Sequence, residues 1–339
     1  MSLMINAVEQ GFVPEPVVRL GIRNLIGKRL KEISSDPEFH RNRILDKLNE
    51  TPIAIETQAA NKQHYELPAD FFFLALGENL KYSCAYYEQD EYTLEQAEVR
   101  MLELYCERAQ LEDGMDILEL GCGWGSMTLF LAKKYPNSTI TAISNSNGQR
   151  EYIESVLLSR GIDNVKIITT DINEFSIDKK FDRIMSIEMF EHVRNYKSLF
   201  ARVSSWLKDE GKVFIHIFCH REATYFFETE GEDNWMGRYF FTGGVMPGFD
   251  LFERVQDSLK LDQKWKVNGK HYQKTSEDWF SNMDARKQSI MEVMSRTYGE
   301  KDAHLWFNRW KIFFGSCAEL FGYNDGEEWF VGHYLFSKK

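Results

Sequence analysis

The sequence is poor in the features that mark secreted, metal-binding and membrane-spanning proteins. Its five cysteines are dispersed without a C-x-x-C spacing, which argues against a disulfide framework and against zinc. No apolar run approaches the length that spans a bilayer, and the first residues contain no signal-peptide core. Internal repeats and low-complexity segments are also lacking. These absences predict a cytoplasmic, globular protein in a reducing compartment.

Positive charge is also in short supply. The 339 residues include 41 Lys and Arg against 52 Asp and Glu, giving a formal net charge of −11. This balance argues against a nucleic-acid partner and disfavours stable contact with an anionic membrane. It is compatible with a cationic small molecule. Aromatic residues make up 14% of the chain, which suits a well-lined pocket as well as a core.

What the chain does contain is a glycine-rich turn after an apolar strand. Residues 117–120 run into a turn with three glycines, which allow close approach of a ligand to the backbone. A dinucleotide fingerprint needs glycine at position 126, where Ser126 stands. The acid Glu119 would repel a pyrophosphate but suits an ammonium group. Rather than an ordinary strand–turn–helix, we predict a site for S-adenosyl-methionine, formed by Glu119, Gly121, Gly123 and Trp124.

Strand-like and helix-like segments alternate after this point. Such alternation predicts a mostly parallel sheet with helices on both faces, which binds ligands at the carboxyl ends of its strands. The strand-like runs are residues 116–120, 139–143, 165–169, 183–187 and 212–217. The rhythm breaks after His220.

The segments on either side of this region predict accessory parts. Residues 221–315 are rich in aromatics and acids and helix-like over residues 279–298 and 303–314, and we interpret them as a lid insertion. Residues 329–336 alternate like a final edge strand. The amphipathic N-terminal residues carry no visible chemistry, which favours a helical cap or a homodimer contact. The predicted division is a cap over residues 1–80 and a catalytic domain over 81–339.

Polar residues follow the second and third strands, where ribose and adenine are usually held. The second strand lacks the usual ribose carboxylate, but hydroxyl and amide groups also bind ribose. Ser146 alternatively caps the next helix. The predicted cofactor residues at these strand ends are Ser144, Asn145, Gln149, Asp171 and Ile172.

Two carboxylates and an imidazole follow the fourth strand. Glu188, Glu191 and His192 lie within five residues, a pattern that fits proton abstraction or cation holding. The alternative is a helix start with acids at its positive end. We favour a catalytic role. His192 and His216 lack the spacing of a metal site, so no metal is predicted.

At these motifs the chain resembles the cyclopropane-fatty-acid synthase superfamily of class I methyltransferases. The resemblance covers roughly residues 60–339 and rests on the segments 82–87, 118–125, 144–149 and 189–193. It implies a Rossmann-like, seven-stranded α/β fold. It also implies an enzyme that uses S-adenosyl-methionine and releases S-adenosyl-homocysteine. It also implies that Tyr82, Ser83 and the glycine turn bind the methionyl part, and that Gln149 binds ribose.

Within this superfamily the residues separate lipid enzymes from amine enzymes. The lipid enzymes hold bicarbonate with a Cys, Glu, His and Tyr set, of which Cys84, Glu191 and His216 match three while Phe280 replaces the Tyr. Glu188 also replaces their glycine. The coclaurine N-methyltransferase branch is more similar, since it shares the Glu-x-x-Glu-His arrangement that acts on the substrate amine.

We therefore predict an amine N-methyltransferase in which Glu191 and His192 accept the amine proton and Glu188 holds the cation. A lipid-modifying enzyme and a non-enzymatic cofactor-binding module are the alternatives. The insertion aromatics either cage a cation or form core beneath a lid. The residues expected to line the substrate site are Cys84, His216, Trp235, Tyr239 and Phe280.

Overall fold

The computed structural model describes residues 3–35, 44–45, 47–48, 52–55, 67–231 and 233–339. Its main strands are β1 Asp116–Leu120, β2 Thr139–Ser144, β3 Val165–Thr169, β4 Phe181–Ile187 and β5 Leu207–His220, then β8 Leu259–Val267 and β9 Trp329–Lys338. They form one seven-stranded sheet in the order β3-β2-β1-β4-β5-β9-β8. Two short strands, β6 Tyr225–Phe226 and β7 Val245–Met246, pair separately.

The first five strands are parallel, which confirms the predicted mostly parallel sheet. The predicted edge position of residues 329–336 is wrong, because β9 lies antiparallel between β5 and β8. The edge strand at this end of the sheet is β8, which belongs to the predicted lid insertion. Its sequence is dominated by Lys and other polar residues between buried Leu259 and Val267, which masks the strand while protecting an exposed edge.

Helices cover both faces of the sheet. In chain order they are α1 Leu3–Glu9, α2 Glu15–Ser35, α3 Ala69–Ala75, α4 Leu94–Ala109, α5 Ser126–Lys134, α6 Asn147–Arg160, α7 Tyr196–Trp206, α8 Trp235–Tyr239, α9 Leu251–Val255, α10 Gly269–Ala285, α11 Lys287–Tyr298 and α12 Glu300–Gly322. Alternate residues of β5 enter different apolar clusters: Phe214 packs with α4, and Ile215 packs with α7. The sheet therefore separates two cores.

The N-terminal helices are joined to the C-terminal half by buried polar contacts. The Glu9 carboxylate accepts from Arg309 Nη2 at 3.1 Å and from Trp235 Nε1 at 2.7 Å. Within the C-terminal half itself, the Phe240 ring stacks on the Phe313 ring, with centroids 4.2 Å apart. The division at residue 80 stays a prediction, since residues 36–43, 46, 49–51 and 56–66 lie outside the described part. No helix among the described residues has the length and apolar character of a membrane span.

Candidate active site

The glycine turn joins β1 to α5 at the carboxyl edge of the sheet. Gly121, Gly123 and Gly125 all have positive φ, at 82°, 51° and 82°, in the left-handed region that glycine tolerates best. A Cβ at Gly121 would lie 2.9 Å from Met189 Cγ, and one at Gly125 would lie 2.7 Å from Ile153 Cγ1. A Cβ at Gly123 would meet no atom within 4 Å. Gly123 thus leaves space for a ligand, whereas its two neighbours permit close packing.

This turn borders a cavity of about 1140 Å³, including its open mouth. The cavity brings together every residue that the sequence predicts for the cofactor. They come from the segment before α4 and from the ends of β1, β2 and β3: Tyr82, Ser83, Glu119, Gly121, Gly123, Trp124, Ser144, Asn145, Gln149, Asp171 and Ile172. The four segments converge because parallel strands end at one edge of the sheet.

Several polar atoms around this cavity have no protein partner. The Gln149 Oε1 accepts from the Ser144 hydroxyl at 2.7 Å, while the buried Gln149 Nε2 makes no hydrogen bond. The Trp124 Nε1 and the Ser126 hydroxyl are also buried without a partner. Unsatisfied buried donors are rare unless a ligand completes them. A ligand rich in hydroxyl groups and nitrogens, such as S-adenosyl-methionine, fits these donors. Ser146 instead caps α6, accepting from Gln149 N at 3.3 Å.

Glu119 lies at the floor of the same cavity and is 2% exposed. Burial raises its pKa to about 7, although the Thr128 hydroxyl donates to it at 2.5 Å and opposes this effect. Among the described residues, no cationic side chain contributes to the pKa shift of this carboxyl group. An incoming ammonium group would favour its ionised form. Glu119 therefore suits the α-amino group of the cofactor.

A second cavity, of about 660 Å³ including its mouth, adjoins the first. Tyr82, Glu188 and His192 line both cavities, so the two spaces meet at these side chains. Glu191 lines the second cavity only. Its remaining walls are largely apolar and aromatic: Phe218, Phe227, Met236, Phe241, Met246, Tyr272, Trp279, Phe313, Cys317, Leu320 and Phe321. This arrangement places an acidic group between a cofactor-sized space and an aromatic space.

Glu188 adopts a strained backbone conformation at the end of β4. Its φ is +48°, a value that non-glycine residues rarely adopt, and its backbone N–H donates to His216 O at 2.9 Å. The carboxylate lies 3.1 Å from His216 Nε2 and accepts from the Tyr272 hydroxyl at 2.7 Å. Burial raises the pKa of Glu188 to about 7, against the opposing effects of Tyr272 and the Lys81 charge. The strain is tolerated because both carboxylate oxygens are held.

Glu191 and His192 lie on a single 3-10 turn, Phe190–His192, that follows β4. Burial, followed by the nearby Glu188 charge, holds the pKa of Glu191 well above its usual range. One of its oxygens, Oε2, is buried without a hydrogen bond. Burial lowers the pKa of His192 to about 4, so its imidazole is neutral near pH 7. The N-cap residue Met189 makes no side-chain cap hydrogen bond, and Glu191 lies in the first turn, as the helix-start alternative expects.

The five residues expected to line the substrate site are not among those that line either cavity. Cys84 and His216 are fully buried behind Glu188. Trp235 binds Glu9, and Tyr239 lies against the Arg309 guanidinium at 4.1 Å. Phe280 lies beneath Arg19 and Lys311, outside the site. The insertion aromatics are divided: Phe227 and Phe241 line the second cavity, whereas Phe240 is core.

Two site residues were missed from the sequence. Tyr272 contributes the hydroxyl group beside Glu188, so a tyrosine is present although Phe280 suggested its loss. Buried Lys81 donates to the Ser83 hydroxyl at 2.5 Å and to the Cys84 carbonyl at 2.6 Å. Lys81 directly precedes the Tyr82-Ser83 motif, which was a usable signal. No signal pointed to Tyr272, because β8 and the start of α10 were not recognised.

The sheet order, the glycine turn and the two adjoining cavities define a class I methyltransferase. The chain belongs to the mycolic acid cyclopropane synthetase family, whose model matches residues 54–327. It is 37% identical to an (S)-coclaurine N-methyltransferase from Thalictrum flavum subsp. glaucum over 99% of this chain and 95% of the relative. The cyclopropane-fatty-acyl-phospholipid synthase of Escherichia coli strain K12 is 29% identical over 80% of this chain and 66% of the relative.

Solved structures agree with this assignment. A coclaurine N-methyltransferase bound to N-methylheliamine and S-adenosyl-homocysteine superposes with a TM-score of 0.95, at 36% identity over 99% of both chains. A cyclopropane synthase from Mycobacterium tuberculosis has a TM-score of 0.70 and 22% identity, covering 85% of this chain and all of that one, and supports the fold alone. The protein is an S-adenosyl-methionine-dependent N-methyltransferase, as the sequence predicted.

Proposed function

We propose that this enzyme methylates the nitrogen of a small, aromatic secondary amine of the coclaurine or heliamine type. The observation that carries the proposal is the meeting of the two cavities at Glu188 and His192. Bound S-adenosyl-methionine supplies an electrophilic methyl group. The acceptor nitrogen needs a free lone pair, yet a secondary amine is mostly protonated at neutral pH. The site must therefore attract a cation and remove its proton.

The residue roles follow from the charges. Glu188, with a pKa of about 7, is the carboxylate that pairs with the incoming ammonium group. Burial and the nearby Glu188 charge raise the pKa of Glu191 in the free enzyme well above its usual range. His192 is neutral and offers its ring lone pair to the amine proton. Glu191 joins as a proton acceptor once the substrate cation favours its ionised form.

The aromatic walls supply the remaining selectivity. Phe227, Phe241 and Phe313 surround the side of the second cavity formed by the insertion and α12. Faces of aromatic rings attract cations and pack well on flat ring systems, with about 0.5–2 kcal/mol for each cation–ring contact. A bulky aromatic amine gains from these walls, whereas a small aliphatic amine leaves them unfilled. An acceptor that carries rings next to its nitrogen is thus supported.

The direct test is an assay of the purified enzyme with S-adenosyl-methionine and a panel of amines. We expect turnover of coclaurine and heliamine, with much slower methylation of a small aliphatic amine such as diethylamine. The kcat/KM should rise as the pH increases through about 7, because Glu188 must lose its proton. Product masses from liquid chromatography would identify N-methylation.

Substitutions separate the two cavities. His192→Ala, which removes a proton acceptor, should lower kcat by about 100-fold, within the usual range for general acid–base catalysis. Glu188→Gln, which removes the charge that attracts the amine, should lower kcat/KM to a similar extent. Cofactor affinity, measured by calorimetry, should change little. Ser144→Ala is the matched control, since it should weaken cofactor binding and leave binding of the acceptor amine unchanged. A new cyclopropyl or branched acyl peak in the lipids of an expressing bacterium, without amine turnover, would overturn the proposal in favour of a lipid substrate.

The cytoplasmic setting and the homodimer remain proposals. The first is supported by the five cysteines, all of which are free and four of which are buried. The second is supported only by exposed apolar residues on the N-terminal helices, such as Leu3 and Leu20. Light scattering of the purified protein would measure its oligomeric state.

A further inference from the structure

A chain of buried hydrogen bonds leads away from Glu188 on the side opposite the substrate cavity. His216 Nε2 lies 3.1 Å from Glu188 Oε1, and His216 Nδ1 lies 2.8 Å from His333 Nε2. His333 Nδ1 in turn lies 2.6 Å from Arg108 Nη1. The two histidines face each other across the antiparallel pair β5 and β9, and both are 0% exposed. Arg108, near the end of α4, is half-buried beside Trp265.

The direction of this chain follows from its last member. A guanidinium group only donates hydrogen bonds, so His333 Nδ1 must accept. Burial holds the pKa of both His216 and His333 well below the usual range, so each ring carries a single N–H. The His333 proton therefore lies on Nε2 and is donated to His216 Nδ1. The His216 proton lies on Nε2 and is donated to Glu188.

A second donor agrees with this order. The Tyr105 hydroxyl lies 3.0 Å from the same His216 Nδ1, so it shares the one lone pair of this nitrogen with the His333 N–H when His216 carries its proton on Nε2. Tyr272 donates to the other oxygen of Glu188 from the opposite side. The carboxylate is thus met by two donors and keeps lone pairs for a substrate cation. A reversed His216, with its proton on Nδ1, would instead accept a hydrogen bond from a protonated Glu188.

We propose that Arg108 and His333 are positioning residues that fix the His216 tautomer and thereby keep Glu188 an ionised acceptor. Neither lines a cavity, so both act only through His216. The chain conducts no proton to solvent, because Arg108 cannot accept one. Its effect is to set the direction of the hydrogen bond between His216 and Glu188. The role rests on the proposed function of Glu188.

Other ionisable groups also face Glu188. Of these, burial lowers the pKa of Lys81 to about 8 and that of His192 to about 4. Both are retained in every variant below, so they do not account for a difference between variants. Among the described residues, the groups that face Glu188 are Lys81, Cys84, Tyr105, Glu191, His192, His216, Tyr272 and Cys317.

The test compares three variants of the full-length enzyme. Arg108→Met keeps the packing on Trp265 but removes the donor. His333→Phe keeps the ring but breaks the chain. His333→Gln preserves the order, since its amide oxygen accepts from Arg108 and its amide nitrogen donates to His216. Because lost donors destabilise the carboxylate, the first two variants should move the acidic limb of kcat/KM upward by roughly one pH unit, whereas His333→Gln should leave it within a few tenths of a unit.

Nitrogen-15 NMR of histidine-labelled protein provides a readout that is independent of activity. His216 should carry its proton on Nε2 in the wild type and in His333→Gln, and on Nδ1 in Arg108→Met. Thermal melts check that each variant is folded. An unchanged His216 tautomer and an unchanged acidic limb in folded Arg108→Met would overturn the proposal. If the wild type methylates no amine, the proposed function fails, while the NMR result still decides the tautomer.

Discussion

At the scale of single residues, Glu188 combines an unfavourable backbone with a buried acid. Its φ of +48° costs energy that a glycine would avoid, and its carboxyl is buried where ionisation is disfavoured. Both costs lie at the position where the two cavities meet. These two costs support the catalytic role proposed for Glu188, because stability alone favours neither.

This strain predicts an unusual order of stability between two variants. Glu188→Gly and Glu188→Ala both remove the carboxylate and its contacts, but only Ala keeps a Cβ in the left-handed conformation. We expect Glu188→Gly to be more stable than Glu188→Ala by about 1 kcal/mol, measured by urea denaturation at one pH. Neither should methylate amines. The reverse order would mean that the backbone relaxes once the carboxylate is gone.

Single residues also show how far the sequence could lead. Glu119, Glu188 and His192 were recognisable because each belongs to a short motif at a strand end, and such ends converge in a parallel sheet. His333 could not be recognised, because its contact with His216 depends on the register of β9 against β5. No local pattern encodes that register.

At the scale of elements, the β1–α5 turn separates two uses of glycine. Gly125 makes room for Ile153, whereas Gly123 leaves open space beside the cavity. The sequence showed three equivalent glycines. Only the packing around them distinguishes the one that a ligand needs from the ones that the fold needs.

Gly123→Ala should therefore impair binding more than folding. The left-handed φ of 51° predicts a loss of about 1 kcal/mol in stability, and the new methyl group should weaken the cofactor at least tenfold. Gly161→Ala is the matched control: its φ is 63°, it also has no atom within 4 Å, and it lies at the end of α6 away from the cavity. Equal cofactor affinity in both variants, measured by calorimetry, would contradict this view of the turn.

The elements of the C-terminal half were harder to predict than the turn. The helix-like run over residues 279–298 is two helices, α10 and α11, which meet near Arg286. The polar edge strand β8 has few buried residues, so its alternation was not visible. Both errors arise where tertiary packing rather than local sequence determines the structure.

At the scale of the whole molecule, the N-terminal helices act on the acceptor cavity from a distance. Glu9 binds Arg309 of α12 and Trp235 of α8, and Lys28 and Arg29 of α2 bind Asp233 and Asn234. The segment that they hold also contributes two cavity residues, Met236 and Phe241. The helices thus stabilise one wall of the cavity.

Removing the buried contact between Glu9 and Arg309 should weaken binding of the acceptor amine more than binding of the cofactor. Glu9→Ala leaves Arg309 without its ion partner, and we expect a loss of about 3 kcal/mol in stability. The KM for the amine should rise several-fold while the Kd of the cofactor stays the same. Glu15→Ala, which removes a half-exposed partner of Arg19, is the control and should cost less than about 1 kcal/mol. Similar increases in the KM for the amine and the Kd of the cofactor would indicate instead that the substitution loosens the whole fold.

The placement of β9 has a consequence for the order in which the enzyme matures. Translation delivers β9 after every other strand, yet β9 lies between β5 and β8 in the sheet. Until β9 emerges from the ribosome, β8 has no strand to pair with, and one edge of β5 is left without its partner strand. His333 arrives with this strand. The glycine turn can therefore form before β9 is synthesised, whereas the proposed contact between His333 and His216 forms only after β9 pairs with β5.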